Sequence, residues 1–133
     1  KRLLLTVDQI MNKRDRIPFV HANMKVKDAL LIISEKGFGM TAVLNTGNEM
    51  VGIITDGDIR RALEKNGNKI FNHTADNLMS KNPKWISSNT LAISALELMQ
   101  KHSITSLFVF SDINLKKPDG IIHIHDILKT GIQ

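Results

Sequence analysis

Cysteine is absent from this 133-residue chain. That excludes disulfides, thiolate nucleophiles and cysteine-based zinc sites. Tyrosine is absent as well, and aromatic residues make up only 5%. A nucleic-acid surface normally interleaves basic residues with stacking aromatics; with so few aromatics we expect no nucleic-acid partner. No apolar run approaches the ~20 residues of a membrane span, and no secretory leader is visible. The expectation is a cytoplasmic protein without a membrane partner. No Walker-type loop, dinucleotide fingerprint or Ser/His/Asp nucleophile arrangement stands out, so no catalytic residue is assigned. The chain opens on Lys1 rather than Met, as a fragment of a longer protein would.

What is present is ordinary in composition and unusual in pattern. Hydrophobic residues make up 42% and charged residues 23%, as in a soluble globular domain. Eighteen Lys and Arg against thirteen Asp and Glu give a net charge of +5, which favours anionic small molecules as partners. The densest basic runs are Lys13-Arg14-Asp15-Arg16 and Arg60-Arg61.

One short segment occurs twice. Gly52-Ile53-Ile54-Thr55-Asp56-Gly57-Asp58-Ile59 returns as Gly120-Ile121-Ile122-His123-Ile124-His125-Asp126-Ile127, 68 positions on (120 − 52). Ile10, Met11 and Lys13 match Leu78, Met79 and Lys81 at the same spacing, and Met40-Thr41 matches Ile104-Thr105 at a slightly shorter one. The chain therefore reads as two related halves, 1–68 and 69–133, with the boundary in the Asn- and Gly-containing stretch near 66–69.

Each half reads β-α-β-β-α after a short lead-in. In the first, Thr6 caps a turn over 7–11, and a short extended piece covers 17–20. Val26, Ala29, Leu30 and Ile33 take helical spacing, and Gly37 stops that helix. Strands over 40–44 and 50–55 form a hairpin around Gly47, and a helix runs from near Asp58 to Gly67. In the second, Thr74 caps a turn over 75–79 and a strand spans 85–87. A helix carries Ala92, Ala95, Leu96 and Met99, strands cover 106–110 and 120–124, a longer loop spans 111–119, and a last helix runs from about Asp126 to Lys129. The methionines fall at core positions and read as packing. Trp85 reads as an anchor between the halves or a contact surface, and His21, His73 and His102 as surface residues.

The repeat arbitrates between site readings. Asp56 and Asp58 together suggest an aspartate nucleophile with magnesium, against a turn followed by a helix cap. Because Asp56 becomes Ile124 while Asp58 becomes Asp126, the shared feature is a single aspartate. Asp58 and Asp126 then either cap helices or accept the hydroxyls of a ribose diol, with Arg60 and Arg61 neutralising phosphate. His123, His125 and Asp126 raise a metal reading, but no further ligand has suitable spacing. No metal is assigned, and His123 is read as a hydrogen-bonding ligand contact. Thr41 and Thr105 either line the same cleft or fill strands as β-branched residues do.

These motifs resemble a known family. Two β-α-β-β-α units, each closing on Gly-Ile-x-x-x-x-Asp, are similar to a tandem pair of CBS domains, the Bateman module. The resemblance covers essentially the whole chain. It implies an α/β (α+β) fold of two pseudo-symmetric units packed through their sheets, usually assembled as a homodimer. It also implies a cleft, lined by a hydroxyl residue and the aspartate, that binds adenine nucleotides. The first copy fits with Thr55 and Asp58; the second departs, carrying His123 where the hydroxyl stands.

A narrower resemblance rests on Leu4-Leu5 with the 7–11 lead-in, Gly39-Met40-Thr41, Thr55-Asp56-Gly57-Asp58 with Arg60-Arg61, Ile104-Thr105-Ser106, and His123-x-His125-Asp126-x-Leu128 with Gly131. Together these look like the C-terminal part of the D-arabinose 5-phosphate isomerase family. That implies an upstream SIS (sugar isomerase) domain holding the chemistry and no catalysis in this stretch. No resident cofactor is implied, but an effector such as AMP, ATP or the sugar nucleotide CMP-Kdo is. A purely structural oligomerisation module, or a CBS pair sensing adenine nucleotides for another enzyme, is the alternative.

Overall fold

The structure, a computed structural model, describes residues 4–111 and 116–132. The loop expected over 111–119 falls partly on residues 112–115, outside the described residues. The chain divides into two compact units, Pro18–Pro83 and the residues up to Ile17 together with those from Lys84 onward.

In the first unit, strand β1 (Phe19–His21) leads to helix α1 (Val26–Lys36), the hairpin strands β2 (Met40–Leu44) and β3 (Met50–Thr55), and helix α2 (Asp56–Asn66). A 3-10 stretch (Gly67–Asn72) and the one-turn helix α3 (Ala75–Leu78) follow. The sheet order is β1-β2-β3, with β1 parallel to β2 and β2 antiparallel to β3. Helix α1 buries Val26, Ala29 and Ile33, the residues whose spacing predicts it. They pack with Val20, Val43, Ile54, Ile59, Ile70 and Ala75. Gly37 ends the helix at φ 83°, the left-handed conformation that glycine adopts without penalty.

The second unit repeats the plan with strand β4 (Trp85–Ser87), helix α4 (Ala92–His102), strands β5 (Ser106–Phe110) and β6 (Gly120–His123), and the short helix α5 (Ile124–Leu128). Its sheet order is β4-β5-β6, again one parallel and one antiparallel pairing. Its core joins Val7 from the start of the chain to Ala95, Leu96, Met99, Val109, Ile122 and Ile127. Trp85 stays 42% exposed and meets Phe110 edge-on, ring centroids 5.4 Å apart.

The spatial units and the sequence halves are not the same partition. Val7 donates to the Thr90 carbonyl at 2.8 Å and Ala92 to that of Leu5 at 2.7 Å, so residues 5–7 are laced to the entry of α4. Residues 73–75 do the same at the entry of α1, through Val26 to His73 at 2.8 Å and Ala75 to Met24 at 2.7 Å. The stretch near 66–69 therefore divides the repeats in sequence but lies inside the first compact unit. It runs into the 3-10 turn that carries buried Ile70.

The pass of each lead-in explains the glycine that opens the repeat. Ser80 forms a β-bridge to Ile53, and Asn12 forms the same bridge to Ile121. A Cβ on Gly52 would lie 2.7 Å from the Ser80 carbonyl oxygen and 2.8 Å from Met79 Sδ. One on Gly120 would strike Met11 Sδ and lie 3.0 Å from the Asn12 carbonyl oxygen.

The registers also correct the matching of the halves. Lead-ins, β3 with β6 and the final helices correspond at 68, but β1 with β4 (85 − 19), α1 with α4 (92 − 26) and β2 with β5 (106 − 40) correspond at 66. Met40 pairs with Thr55 as Ser106 pairs with His123. Thr41 is thus the counterpart of Leu107, and Thr105 that of Gly39.

Candidate functional site

Each unit places its repeated aspartate where the last strand turns into the final helix. In the first, Thr55 is extended (φ −110°, ψ 164°) and caps α2. Its Oγ1 accepts from the Asp58 amide at 3.1 Å, and Asp58 Oδ2 accepts from the Thr55 amide at 2.9 Å. This reciprocal box satisfies two amides that a helix start otherwise leaves unpaired. It sets α2 two residues earlier than the Asp-Gly turn signal suggests. The Asp56 amide donates to the Gly39 carbonyl at 3.0 Å. Asp58 Oδ1 accepts from Arg61 at 2.9 Å and, more distantly, from Ser80 Oγ at 3.5 Å.

The second unit builds the same mouth from different groups. Asp126 Oδ2 accepts from the His123 amide at 2.8 Å and from Asn12 Nδ2 at 2.8 Å. Lys129 Nζ lies 3.6 Å from Oδ1. The cap itself is an imidazole: His123 Nδ1 accepts from the His125 amide at 3.1 Å. That bond requires Nδ1 unprotonated. Burial holds the His123 pKa below its ordinary value, the neighbouring His125 adds to this, and Asp126 opposes it. The two imidazole rings lie 4.6 Å apart and tilted.

Of the two readings of the aspartates, the geometry shows the helix cap in both units. Each carboxylate caps a helix and is 14% exposed at its side chain. An ionised carboxylate offers about four acceptor positions, so each keeps limited capacity for a further donor. The helix amides offer less to phosphate than their position suggests, because Asp56, Asp58, Ile124 and His125 all donate within their own units.

Among the other sequence-derived residues, Arg60 and Arg61 are exposed on α2, and Arg61 is tied to Asp58. Thr41 does not line a mouth: it is fully buried within β2 and its hydroxyl donates to the Ala42 carbonyl at 3.1 Å. Thr105 is exposed just before β5, where its carbonyl accepts from the Ile124 amide at 2.8 Å. The two threonines occupy different registers. His102 is partly exposed at the end of α4, its pKa lowered by desolvation and by Lys84 and Lys101. Among the described residues, no three His, Asp or Glu side chains converge as a metal site would need, and no helix is long and apolar enough to cross a membrane.

Sequence reasoning missed Asn12 and Ser80. Their neighbours Met11 and Met79, Lys13 and Lys81 mark the repeat on either side. The intervening residues differ in type, so matching by identity passes over the position whose side chain reaches each aspartate.

A three-stranded α+β unit present twice, each closing on a capped aspartate, defines a tandem repeat module. The chain belongs to the CBS domain family, whose profile matches residues 7–65 and 75–132. Among curated proteins it is 42% identical, over all of its length, to the arabinose 5-phosphate isomerase KdsD of Francisella tularensis, and covers 39% of that protein. It is 35% identical to the KdsD of Pseudomonas aeruginosa, again over its full length and 40% of the relative. The chain thus spans about two fifths of the length of these relatives. Among solved structures, the CBS-domain containing protein ATU1752 of Agrobacterium tumefaciens superposes with a TM-score of 0.84 at 19% identity, covering 98% of this chain and 96% of that one. The CBS pair of MJ0100, in complex with 5-methylthioadenosine and S-adenosyl-L-methionine, gives 0.80 at 23%, covering 96% of each chain. CBSX2 of Arabidopsis thaliana, in complex with AMP, gives 0.77 at 24%, covering 95% of each.

Proposed function

We propose that this chain is the ligand-sensing part of an arabinose 5-phosphate isomerase, binding a nucleotide or sugar nucleotide and performing no isomerisation itself. The observation that carries the proposal is the end-to-end match, at 42% identity, to part of a protein of that activity. On this reading an upstream sugar-isomerase domain interconverts ribulose 5-phosphate and arabinose 5-phosphate, and the CBS pair reports an effector to it. The structural relatives seen with AMP, 5-methylthioadenosine or S-adenosyl-L-methionine share only the fold, yet they favour a ligand with an adenosine-like ribose. Asp58 and Asp126 are the acceptors we assign to ribose hydroxyls, with Thr55, Arg60 and Arg61 beside the first and His123 and His125 beside the second. CMP-Kdo, a sugar nucleotide of the lipopolysaccharide route, carries the same ribose diol and suits feedback on this isomerase.

Calorimetric titration of the chain with AMP, ATP and CMP-Kdo tests the proposal. Saturable binding to at least one is expected. Asp58→Asn or Asp126→Asn should weaken it about tenfold, since a charged acceptor is lost while an amide oxygen keeps the cap. Heat from none of the three would favour a module that only fixes assembly.

A further inference from the structure

The basic run Lys13-Arg14-Asp15-Arg16 has a place that the repeat does not explain. In the second unit these residues, with Asp8, Gln9, Met11 and Asn12, line a cleft of about 370 Å³. The backbone there turns tightly, the Arg16 amide donating to the Lys13 carbonyl at 3.2 Å and that of Ile17 to Arg14 at 3.0 Å. Arg14 sits at φ 56°, a left-handed conformation uncommon for a residue with a side chain. The turn brings three cationic side chains to one cleft, where they outnumber the carboxylates of Asp8 and Asp15. Among the described residues, none of the three forms an ion pair with a carboxylate.

Arg16 is held in place all the same. Its Nε donates to Asn12 Oδ1 at 3.0 Å, and Asn12 Nδ2 donates on to Asp126 Oδ2 at 2.8 Å. A guanidinium carries five N–H donors in a rigid planar fork. Fixing Nε against Asn12 orients the rest of the fork, as bidentate recognition of phosphate requires. The first unit has no copy of this device. At the spacing of 68, Asn12, Lys13, Arg14 and Arg16 fall on Ser80, Lys81, Asn82 and Lys84; no arginine stands there, and Ser80 approaches Asp58 only to 3.5 Å. A feature required by the fold would recur in both units.

We propose that this cleft holds a phosphate group of the effector, with Arg16 reading its charge, Arg14 and Lys13 flanking it, and Asn12 positioning Arg16 beside Asp126. The inference rests on the ligand-sensing reading and adds which unit senses charge. The chain of bonds sets a phosphate-binding cation two hydrogen bonds from a carboxylate that can accept sugar hydroxyls, the two polar ends of a nucleoside monophosphate.

The test is titration with AMP and CMP, each beside its uncharged nucleoside, with melting temperatures recorded for every variant. The unaltered chain should bind the monophosphate more tightly than the nucleoside. Arg16→Ala should weaken monophosphate binding about tenfold and leave nucleoside binding unchanged. Arg16→Lys should recover part of the loss as a point charge, and Asn12→Ser should give an intermediate loss with the same selectivity. Arg16 is exposed, so its variants should melt with the parent chain. Equal losses for charged and uncharged ligands, or no loss in Arg16→Ala, would overturn the inference and leave the sensing reading standing. Failure of the unaltered chain to bind either monophosphate would overturn the inference, and failure with ATP and CMP-Kdo as well would overturn the sensing reading too.

Discussion

At the scale of single residues, the exchange of Thr55 for His123 makes one helix cap sensitive to protons. A threonine hydroxyl caps at any pH, whereas Nδ1 of an imidazole caps only while unprotonated. The folded state lowers the His123 pKa, through burial first and His125 second. The unfolded chain therefore binds the proton more readily, and stability rises with pH between the folded value and the ordinary value of about 6.5. The full contribution is present above that window and is lost as pH falls through it. Urea unfolding at pH 5 and pH 7.5 should show His123→Thr more stable than the parent by about 0.5–1 kcal/mol at the lower pH. The difference should shrink at the higher pH, and a gap that does not change with pH would refute the account. The substitution itself was legible from aligning the two halves. That the imidazole serves as a cap was not, because nothing in the spacing says which ring nitrogen faces a backbone amide.

At the scale of elements, α1 and α4 are counterparts of equal length that end differently. Gly37 closes the first at φ 83°, and Ser103 closes the second at φ 54°. The left-handed conformation crowds any Cβ against the backbone, at roughly 1–2 kcal/mol for a residue other than glycine, Asn or Asp. Ser103→Gly should therefore stabilise the chain by about 0.5–1 kcal/mol after glycine's greater freedom in the unfolded state is subtracted. Gly37→Ser should cost a similar amount; the urea midpoints of both variants report the pair. The long helices and the hairpins were readable because apolar spacing at 3.6 and near-continuous burial over 40–44 and 106–110 leave little choice. The final helices were placed two residues late. Asp56-Gly57 reads locally as a turn, but the cap at Thr55 recruits both residues into α2. In the second unit the same box at His123 starts α5 at Ile124, and β6 ends there. The pairing of Thr41 with Thr105 failed for a related reason. Two residues are gained in the second hairpin and two are lost before α4, so one offset cannot serve every element.

At the scale of the whole molecule, sequence repeats and compact units divide the chain differently, and this is testable by cutting it. The core of the first unit includes fully buried Ile70 and Ala75, which a cut after residue 68 removes. A buried Ile side chain contributes about 1.5–3 kcal/mol, a large part of what a small domain possesses. A fragment spanning 18–83 should show cooperative thermal unfolding by circular dichroism, and a fragment spanning 1–68 should not. The twofold repetition of the fold was visible in the sequence, while the exchange of lead-ins was not, since a repeat shows which segments are alike and not which ones touch. The exchange also sets an order of events during synthesis. Residues 18–83 leave the ribosome as one uninterrupted unit and can fold as soon as Pro83 emerges. Val7, fully buried in the folded chain, belongs to a core whose other buried members, from Ile86 to Ile132, are translated after the whole of the first unit. The stretch ahead of residue 18 therefore waits, with its apolar residues uncovered, until the stretch beyond residue 83 arrives to enclose it.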